Sequence, residues 1–562
     1  MKPEVWIREM TFSDSKKISF EKDEIVIIVG PNNSGKSAAL KESAKLIQQK
    51  GEPGKVVRDL IVEKDVSSPI LNYLKEVSTE YYQGNSEPFL RGYGYNIYKG
   101  NINSYWEQSS AGLGELYPLF VSSINTEQRL QAANPPSNIS LTTEAPQHPI
   151  HFLQRDDSIE EKFSDYFRLA FGQDLIVHRN AGSIVPLYVG KRPVPDAGKD
   201  RVSIDYVQAV EKLDLLHEQG DGMRAFVGVL LNCFVANQSI FLIDEPEAFL
   251  HPPQARLLGL MLAKNLPERR QLFVATHSED FLKGVLDSEV SKIRILRLQR
   301  SGNVNDVSEL KSEDVKTIWK DSLLRHSNIL NGLFHSHVVI CESDSDCRFF
   351  AAILSALYED SNKASPDIFF THCGGKHRLP TAIKALKRLN VNLRIIADFD
   401  VLNDINPLKE ICESSGIDWP ACETDWRTIK SAVEQKRPEF LTADLKAEID
   451  SIIGTVAERI FPKDRIKQIE KALKKASPWT EAKMVGKAYI PNGMASQAFD
   501  RLKGTLESGG VSILEVGELE SFVKSIGNHG PKWVNDVLQK DLKNDPELEI
   551  ARKFVGSLVK KT

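Results

Sequence analysis

The chain has 562 residues, of which 41% are hydrophobic and 27% are charged. This composition excludes a disordered or fibrous chain, and the length predicts about two to four domains. The 72 basic and 77 acidic residues give a formal net charge of -5, so any contact with nucleic acid must come from a local basic patch or from metal ions.

The six cysteines are scattered along the chain and form no Cys-x-x-Cys pair. This pattern indicates neither a zinc ribbon nor a disulfide framework, and it favours free thiols in a reducing compartment. No run of about 18 uninterrupted apolar residues occurs, as a membrane-spanning helix would require. We therefore expect a cytoplasmic protein that does not associate with membranes.

The first part of the chain shows the pattern of an α/β domain. An apolar strand predicted at 24–29 is followed by a glycine-rich loop and by a helix predicted over 36–48. Further strands are predicted at 5–10, 119–122, 175–177, 184–189, 239–243 and 271–275. These elements predict a first domain over residues 1–305.

A second α/β domain is predicted over residues 335–562, after a polar helical linker at 306–334. Its apolar runs predict strands at 337–341, 368–371, 393–397 and 511–514. Residues 405–505 are polar with a helical pattern, which predicts a helical insertion in this domain.

The first chemical motif begins at Gly30 and reads GPNNSGKS. It matches the pattern G-x4-G-K-[ST] and lies between a predicted strand and a predicted helix, as that pattern requires. The main-chain N–H groups of such a loop surround phosphates, its lysine reaches the β- and γ-phosphates, and its serine hydroxyl binds Mg²⁺. The predicted ATP-binding residues here are Gly30, Asn32, Asn33, Ser34, Gly35, Lys36 and Ser37.

Two further strands end in polar residues that suit ATP hydrolysis. The strand at 239–243 leads into Asp244, which we expect to hold Mg²⁺ through water, and Glu245, which we expect to polarise the attacking water as general base. The strand at 271–275 leads to His277, a candidate contact of the γ-phosphate.

A second group of acidic residues follows strands of the C-terminal half. One strand ends in Glu342, with Asp346 four residues later, and another ends in Asp398 and Asp400. In a parallel sheet both strand ends lie at the carboxyl edge, and strand alternation predicts that Asp398 and Asp400 point to the same side. Such a concentration of carboxylates needs divalent cations, and oxygen ligands select Mg²⁺ or Mn²⁺, which can activate water for attack on a phosphodiester.

The three N-terminal motifs, in this order, resemble the ATP-binding-cassette (ABC) ATPases, and the stretch DEPEAFLHP from Asp244 resembles their RecF/SMC-like branch. The resemblance implies a signature segment, for which Gly220 and Gly222 are candidates, although Gln219 stands where serine is usual. It also implies a glutamine that contacts Mg²⁺ or water, for which Gln128 is the candidate, with a plain surface loop as the alternative. Because ATPases of this type complete their sites between two subunits, the resemblance implies a homodimer or higher homo-oligomer through the ATPase domain.

The acidic motifs resemble the TOPRIM domain, whose pattern is Glu-Gly-x-x-Asp followed by Asp-x-Asp, with Ser343 replacing the usual glycine here. The stretch from Gly374 to Lys376 and the late Gly-x-Leu-Glu at Glu520, with Glu518 as second candidate, resemble the nuclease branch of that family. The resemblance implies a metal site, with ligands Glu342, Asp346, Asp398, Asp400 and Glu520.

Two basic features near the predicted metal site each have two interpretations. Lys532 is either a cation that stabilises the charge on the reacting phosphate or a surface lysine beside a buried tryptophan. Residues 463–487 contain eight Lys or Arg against three Asp or Glu, which indicates either a DNA-contacting surface or an ordinary solvated helix face.

An ABC-type ATPase followed by a TOPRIM domain resembles the OLD (overcoming lysogenization defect) nucleases, over residues 1–300 and 335–562. The Gabija nuclease subunit and retron-associated effectors share this layout. The resemblance implies ATP binding, Mg²⁺- or Mn²⁺-dependent DNA cleavage gated by the ATP state, and a role in bacterial anti-phage defence. It also implies an operon partner protein or a retron nucleic acid as a further partner.

Three other functions fit parts of the sequence. An effector that cleaves transfer RNA could use the same two domains, and an ATP-gated DNA clamp could bind DNA without cutting it. A topoisomerase or primase is disfavoured, because there is no room for a separate domain with a nucleophilic tyrosine and no cysteine set for a zinc module.

Overall fold

The computed structural model describes residues 2–560 except 50, 85–86, 108–111, 236, 323–324, 326, 360, 437–440, 457–459 and 475–476. The chain divides into two compact units, Met1–Arg325 and His326–Thr562. Each is α/β, as predicted. Within the described residues, no helix has both the length and the apolar character needed to cross a membrane.

The first unit contains one large sheet, three small sheets and the helices that pack on them. Its strands are β1 Val5–Phe12, β2 Lys17–Ser19, β3 Ile25–Val29, β4 Val57–Lys64, β5 Thr79–Tyr81, β6 Phe89–Gly92, β7 Tyr95–Tyr98, β8 Val121–Ile124, β9 Asp174–Val177, β10 Leu187–Gly190, β11 Asp214–Leu215, β12 Ile240–Asp244, β13 Gln271–Ala275, β14 Ile293–Ser301 and β15 Val304–Leu310. Its helices are α1 Lys36–Gln48, α2 Ile70–Val77, α3 Ile102–Glu107, α4 Tyr117–Phe120, α5 Thr126–Gln131, α6 Pro149–Arg155, α7 Asp157–Phe171, α8 Ile204–Val210, α9 Asp221–Leu230, α10 Pro252–Asn265, α11 Glu279–Asp287 and α12 Ser312–Trp319.

The large sheet has the strand order β15-β14-β3-β13-β12-β8. All neighbouring pairs are parallel except β14 with β15. The strands β3, β12 and β13 are almost continuously apolar, as expected for central strands covered on both faces. Asp244 is in register with Ala275, which is in register with Ile28, so these three strands end at the same edge.

The remaining strands of the first unit form antiparallel sheets in the orders β2-β1-β4, β5-β6-β7 and β9-β10-β11. Strand β15 begins at Val304, at the end of the predicted first domain, and runs to Leu310, within the predicted linker 306–334. It pairs with β14 and buries Val307 and Leu310, so this first part of the predicted linker belongs to the large sheet. Its apolar residues Val304, Val307 and Leu310 recur at every third position rather than alternating, so the sequence pattern did not indicate a strand.

The second unit has one parallel sheet in the order β17-β16-β18-β19. Its strands are β16 His337–Cys341, β17 Ile368–His372, β18 Asn392–Ala397 and β19 Val511–Ile513. Its helices are α13 Asp344–Tyr358, α14 Leu379–Arg388, α15 Ile405–Ser415, α16 Trp419–Gln435, α17 Thr442–Gly454, α18 Lys463–Lys474, α19 Pro478–Val485, α20 Met494–Ser508, α21 Pro531–Val537 and α22 Glu549–Lys560. The helices α15 to α20 occupy the stretch predicted as a helical insertion.

Candidate functional site

The phosphate-binding loop connects the end of β3 to the start of α1. Gly30 has a φ of 147°, and a Cβ atom there would lie 2.2 Å from the main-chain oxygen of Leu298, so only glycine fits. The Lys36 ammonium donates hydrogen bonds to the main-chain oxygens of Gly30 (2.8 Å) and Pro31 (3.0 Å). Burial lowers the pKa of Lys36, although the charge of Glu245 opposes this shift.

The other predicted residues of the loop line the same turn. Asn32 and Asn33 are exposed, and Asn33 adopts a left-handed conformation with a φ of 62°. Ser34 is buried, and its main-chain oxygen accepts a hydrogen bond of 2.6 Å from the Asn305 amide. Gly35 caps α1 with a φ of 96°. The Asn305 contact therefore ties the loop to strand β15.

Ser37 and Asp244, the predicted Mg²⁺ pair, are in direct contact. The Ser37 hydroxyl donates a hydrogen bond of 2.9 Å to Oδ1 of Asp244. Burial raises the pKa of the Asp244 carboxyl, and the hydrogen bond from Ser37 opposes this shift. A hydroxyl and a carboxylate that share one hydrogen bond present oxygen atoms of the kind Mg²⁺ prefers, so the pair suits that ion.

Glu245 and His277, the predicted general base and γ-phosphate contact, lie next to each other. His277 Nδ1 lies 3.2 Å from a carboxylate oxygen of Glu245 and 3.4 Å from one of Glu247. Glu245 adopts a left-handed conformation with a φ of 49°, at the turn that follows β12. Its side chain is 40% exposed, as a group that acts on an attacking water must be.

Glu247 is a site residue that sequence reasoning did not identify. It is 5% exposed, and its Oε1 accepts hydrogen bonds from the Thr276 hydroxyl (2.7 Å) and the main-chain N–H of His277 (3.1 Å). These bonds join the segment after β12 to the segment after β13. The available signal was the third acid of the DEPE motif.

Arg129 is a second residue that the sequence did not identify. Its guanidinium is fully buried and donates to the main-chain oxygens of Asp244 (2.8 Å) and Glu245. The neighbouring Gln128, predicted to contact Mg²⁺ or water, is exposed. Its side chain accepts a hydrogen bond of 3.0 Å from the main-chain N–H of Asn125, which caps α5. The structure thus uses Gln128 as a helix cap, while Arg129 reaches the carboxylate motif.

The two signature glycines lie at the start of α9. Gly220 caps the helix, and a Cβ atom at Gly222 would lie 2.9 Å from the main-chain oxygen of Phe249. The segment therefore packs against the loop that follows the carboxylate motif. The Gln219 side chain, at the usual serine position, donates a hydrogen bond of 3.1 Å to the main-chain oxygen of Leu215.

In the second unit, the strand ends bring three predicted acids together. Oxygen atoms of Glu342, Asp398 and Asp400 all lie within 4.8 Å of one another. The main-chain N–H of Asp398 donates a hydrogen bond of 3.1 Å to Oε1 of Glu342. Asp400 lies in the 3₁₀ turn Phe399–Asn403, beyond the end of β18, so strand alternation was the wrong reason for its position.

Burial shifts the pKa of two of these acids strongly. Burial, followed by the charge of Asp398, raises the pKa of Glu342 to about 7, and burial raises the pKa of Asp398 to about 6. Oδ1 of Asp400 is buried and has no hydrogen-bond partner among the described residues. Crowded carboxylates with an unsatisfied buried oxygen suit a divalent cation, so the three acids fit the expected Mg²⁺ or Mn²⁺.

Asp346 stands outside this group of three. Its Oδ2 accepts hydrogen bonds from the main-chain N–H of Ser343 (2.8 Å) and from the Ser343 hydroxyl (3.0 Å), forming a capping box at the start of α13. Ser343 replaces the glycine of the TOPRIM pattern, and it supplies this helix cap. Burial raises the pKa of Asp346, and the nearby charge of Glu520 adds to the shift.

Both late acids, Glu520 and Glu518, form a second group with His529, with ligand atoms within 4.8 Å of one another. Oε1 of Glu520 accepts a hydrogen bond of 2.7 Å from the main-chain N–H of Gly530 and lies 3.7 Å from His529 Nδ1. The structure brings both glutamates into one group, so the first and the second candidate for the late acidic position lie at the same place. Lys532 is exposed, and in the described part of the chain no ion pair joins it to either acidic group.

The sequence did not single out the lysines that contact the three acids. Lys483 of α19 lies 3.0 Å from an oxygen of Asp398 and 3.8 Å from one of Asp400. Lys376, known only from the Gly-Gly-Lys stretch, lies 3.1 Å from Oδ2 of Asp400. Burial alone would lower the pKa of Lys483, but the charges of Asp398 and Asp400 raise it above its ordinary value.

The lysines of the basic run 463–487 differ in their surroundings. Lys483 faces the acids, whereas Lys463 and Lys467 on α18 are exposed. Lys475 lies outside the described residues. Exposure of α18 agrees with both interpretations of the run.

Comparisons with known proteins agree with this division of the chain. Residues 25–282 match a family described as an AAA domain. Residues 333–400 match the family described as overcoming lysogenization defect protein-like, TOPRIM domain. The Old nuclease of Escherichia phage P2 is 24% identical over 180 residues, which are 30% of this chain and 29% of that nuclease. The match therefore spans less than a third of the relative's length.

Solved SMC heads align with a little over half of the chain. The SMC head bound to the C-winged helix domain of ScpA covers 56% of this chain and 99% of its own, with 15% identity and a TM-score of 0.34. The SMC head domain from Thermotoga maritima covers 55% and 100%, with 12% identity and a TM-score of 0.28. The two family matches place an AAA domain before an OLD-like TOPRIM domain in this chain.

Proposed function

We propose that this protein is an ATP-binding and ATP-hydrolysing, divalent-metal-dependent DNA endonuclease of the OLD type, gated by its ATP state, that acts in bacterial anti-phage defence. The observation that carries the proposal is the cluster of Glu342, Asp398 and Asp400, whose oxygens lie within 4.8 Å of one another at the ends of adjacent parallel strands. Bound Mg²⁺ or Mn²⁺ would supply an activated water and would stabilise the leaving oxygen of a phosphodiester.

The protein's own groups supply the remaining requirements of that reaction. Glu342, Asp398 and Asp400 would hold the metal, with Asp346 and Glu520 as further ligands. Lys376 and Lys532 are cations that can contact phosphate oxygens, and Lys376 also orients Asp400 through its hydrogen bond of 3.1 Å. The exposed lysines of α18 would bind the DNA backbone.

The ATPase domain would control this site through its nucleotide state. Gly30, Asn32, Asn33, Ser34, Gly35 and Lys36 would bind the phosphates, with Ser37 and Asp244 on Mg²⁺. Glu245 would orient the attacking water and His277 would contact the γ-phosphate. Gly220 and Gly222 would contact the nucleotide of a second subunit, so the active form would be a homodimer or higher homo-oligomer.

Cleavage of supercoiled plasmid tests the proposal. Wild type is incubated with Mg²⁺ or Mn²⁺, with and without ATP, beside Glu342→Gln and Lys36→Ala. We expect nicking or linearisation that Glu342→Gln abolishes. Lys36→Ala should keep cleavage but lose its response to ATP. Cleavage that is equal at every ATP concentration in wild type would contradict the gating.

A matched RNA substrate tests whether the protein cleaves DNA or RNA. The plasmid assay is repeated with transfer RNA under the same conditions. Cleavage of transfer RNA but not of the plasmid would identify RNA, rather than DNA, as the substrate. Binding of DNA without cleavage of either polymer would favour an ATP-gated clamp.

A further inference from the structure

The ammonium group of one lysine contacts both aspartates of the acidic cluster. The Lys483 ammonium lies 3.0 Å from Oδ2 of Asp398, 3.8 Å from Oδ1 of Asp400 and 4.0 Å from an oxygen of Glu518. It therefore contacts acids of both groups. Lys376, by comparison, contacts only Asp400 among these acids.

The main chain that carries Lys483 is held firmly in place. Gly517 has a φ of 113°, and a Cβ atom there would lie 2.1 Å from the main-chain oxygen of Lys483. A Cβ atom at Gly486 would lie 2.1 Å from the main-chain oxygen of Glu515. These two close approaches lock the end of α19 onto the segment that precedes Glu518. These main-chain contacts therefore fix the position from which the Lys483 side chain extends towards the acids.

Charge balance shows what this position does. The carboxylates of Glu342, Asp398, Asp400 and Glu518 lie around a partly buried space, where uncompensated negative charge is costly. An ammonium in contact with Asp398 removes part of that cost when no metal is bound. The same ammonium repels a divalent cation and competes with it for Oδ2 of Asp398.

We propose that Lys483 is a built-in counter-ion of the acidic site, which takes one cation position in the metal-free protein and weakens the binding of divalent cations there. The helical insertion would then set the metal requirement of the TOPRIM site through this one side chain. The inference rests on the proposed function, because it assumes that the three acids bind a metal.

Calorimetric titration of the metal-stripped, full-length protein with MnCl₂ tests this role without any measurement of cleavage. We expect Lys483→Gln to bind Mn²⁺ on the order of tenfold more tightly than wild type, or to gain a second equivalent. Lys483→Arg, which keeps the charge, should bind like wild type. Lys487→Gln is the matched control, because Lys487 lies four residues later and pairs with Asp500 and Glu515 instead.

Unchanged or weaker Mn²⁺ binding by Lys483→Gln would overturn the inference. If that variant folds only when Mn²⁺ is present, the metal has replaced the missing charge and the inference is supported. If it is unfolded with and without Mn²⁺, Lys483 is a structural residue and the inference fails. Glu342→Gln separates this inference from the proposed function. If wild type binds no Mn²⁺, or if Glu342→Gln binds Mn²⁺ as tightly as wild type, the metal-dependent function is contradicted instead.

Discussion

The guanidinium of Arg129 donates a hydrogen bond of 2.8 Å to the main-chain oxygen of Asp244 and a second bond to that of Glu245. A fully buried arginine thereby holds the turn in which Glu245 has a φ of 49°. A Cβ atom at Gly228 of α9 would lie 2.1 Å from the main-chain oxygen of Arg129, so α5 also packs closely on the signature helix. Arg129 connects the signature helix with the carboxylate motif.

We expect Arg129→Met to lower the free energy of unfolding by about 2 kcal/mol, because two buried carbonyls lose their donor. ATP hydrolysis should fall more than ATP binding, since the main chain of Glu245 is no longer held. Gln128→Ala is the matched control and should cost at most about 1 kcal/mol, with hydrolysis unchanged. Urea unfolding and steady-state phosphate release measure both effects. Loss of hydrolysis in Gln128→Ala would instead support the predicted contact of Gln128 with Mg²⁺ or water.

The response to Mg²⁺ should increase with pH. The pKa of Glu342 is raised from 4.5 to about 7 and that of Asp398 from 3.8 to about 6. The folded protein binds these protons more tightly than the unfolded chain, so their contribution to stability is present at low pH and is lost as the pH rises towards 7. Mg²⁺ bound to the ionised acids would oppose this loss.

We therefore expect the rise in Tm caused by Mg²⁺ to grow between about pH 5 and about pH 8. Thermal unfolding in EDTA and in Mg²⁺ across this range measures it. Glu342→Gln should remove most of the dependence on both pH and Mg²⁺. A Tm shift that is the same at every pH would show that these acids do not bind the ion.

Gly517→Ala should destabilise the second unit. The new methyl group would meet the main-chain oxygen of Lys483 at 2.1 Å, and the φ of 113° disfavours any side chain. We expect a loss of about 2 kcal/mol or more in urea unfolding, together with altered Mn²⁺ binding. Gly504→Ala, in α20 with no atom within 4 Å of its new methyl group, should instead stabilise by about 0.5 to 1 kcal/mol. Equal effects of the two changes would contradict the close approach at Gly517.

Ser343 offers a test of the departure from the TOPRIM pattern. Ser343→Ala removes the side-chain cap of α13 and should cost about 1 kcal/mol, whereas Ser343→Gly should cost only a few tenths. Ser343→Gly also removes the hydroxyl that donates to Asp346 at 3.0 Å, which leaves that carboxylate freer to bind Mn²⁺. Urea unfolding and Mn²⁺ titration distinguish the two effects. A loss in Ser343→Gly as large as in Ser343→Ala would contradict the capping role.

The local motifs were readable from the sequence because each depends on neighbours along the chain. The glycine-rich loop before Lys36 and the acids at the ends of apolar strands follow from short patterns. The pairing of Glu342 with Asp398 followed from the expectation that parallel strands end at one edge, and β16 and β18 are indeed neighbouring parallel strands.

Periodicity and motif spacing are local properties of the chain, so the two α/β units, the nucleotide loop and the acids at the strand ends could be predicted from the amino-acid sequence. Two contacts depend on the tertiary structure instead: that of Arg129 with the main-chain oxygens of Asp244 and Glu245, and that of Lys483 with the acidic cluster. Lys483 is 83 residues from Asp400 along the chain. No local pattern encodes such a contact, because it depends on how helix α19 packs against the segment at Gly517, which follows β19.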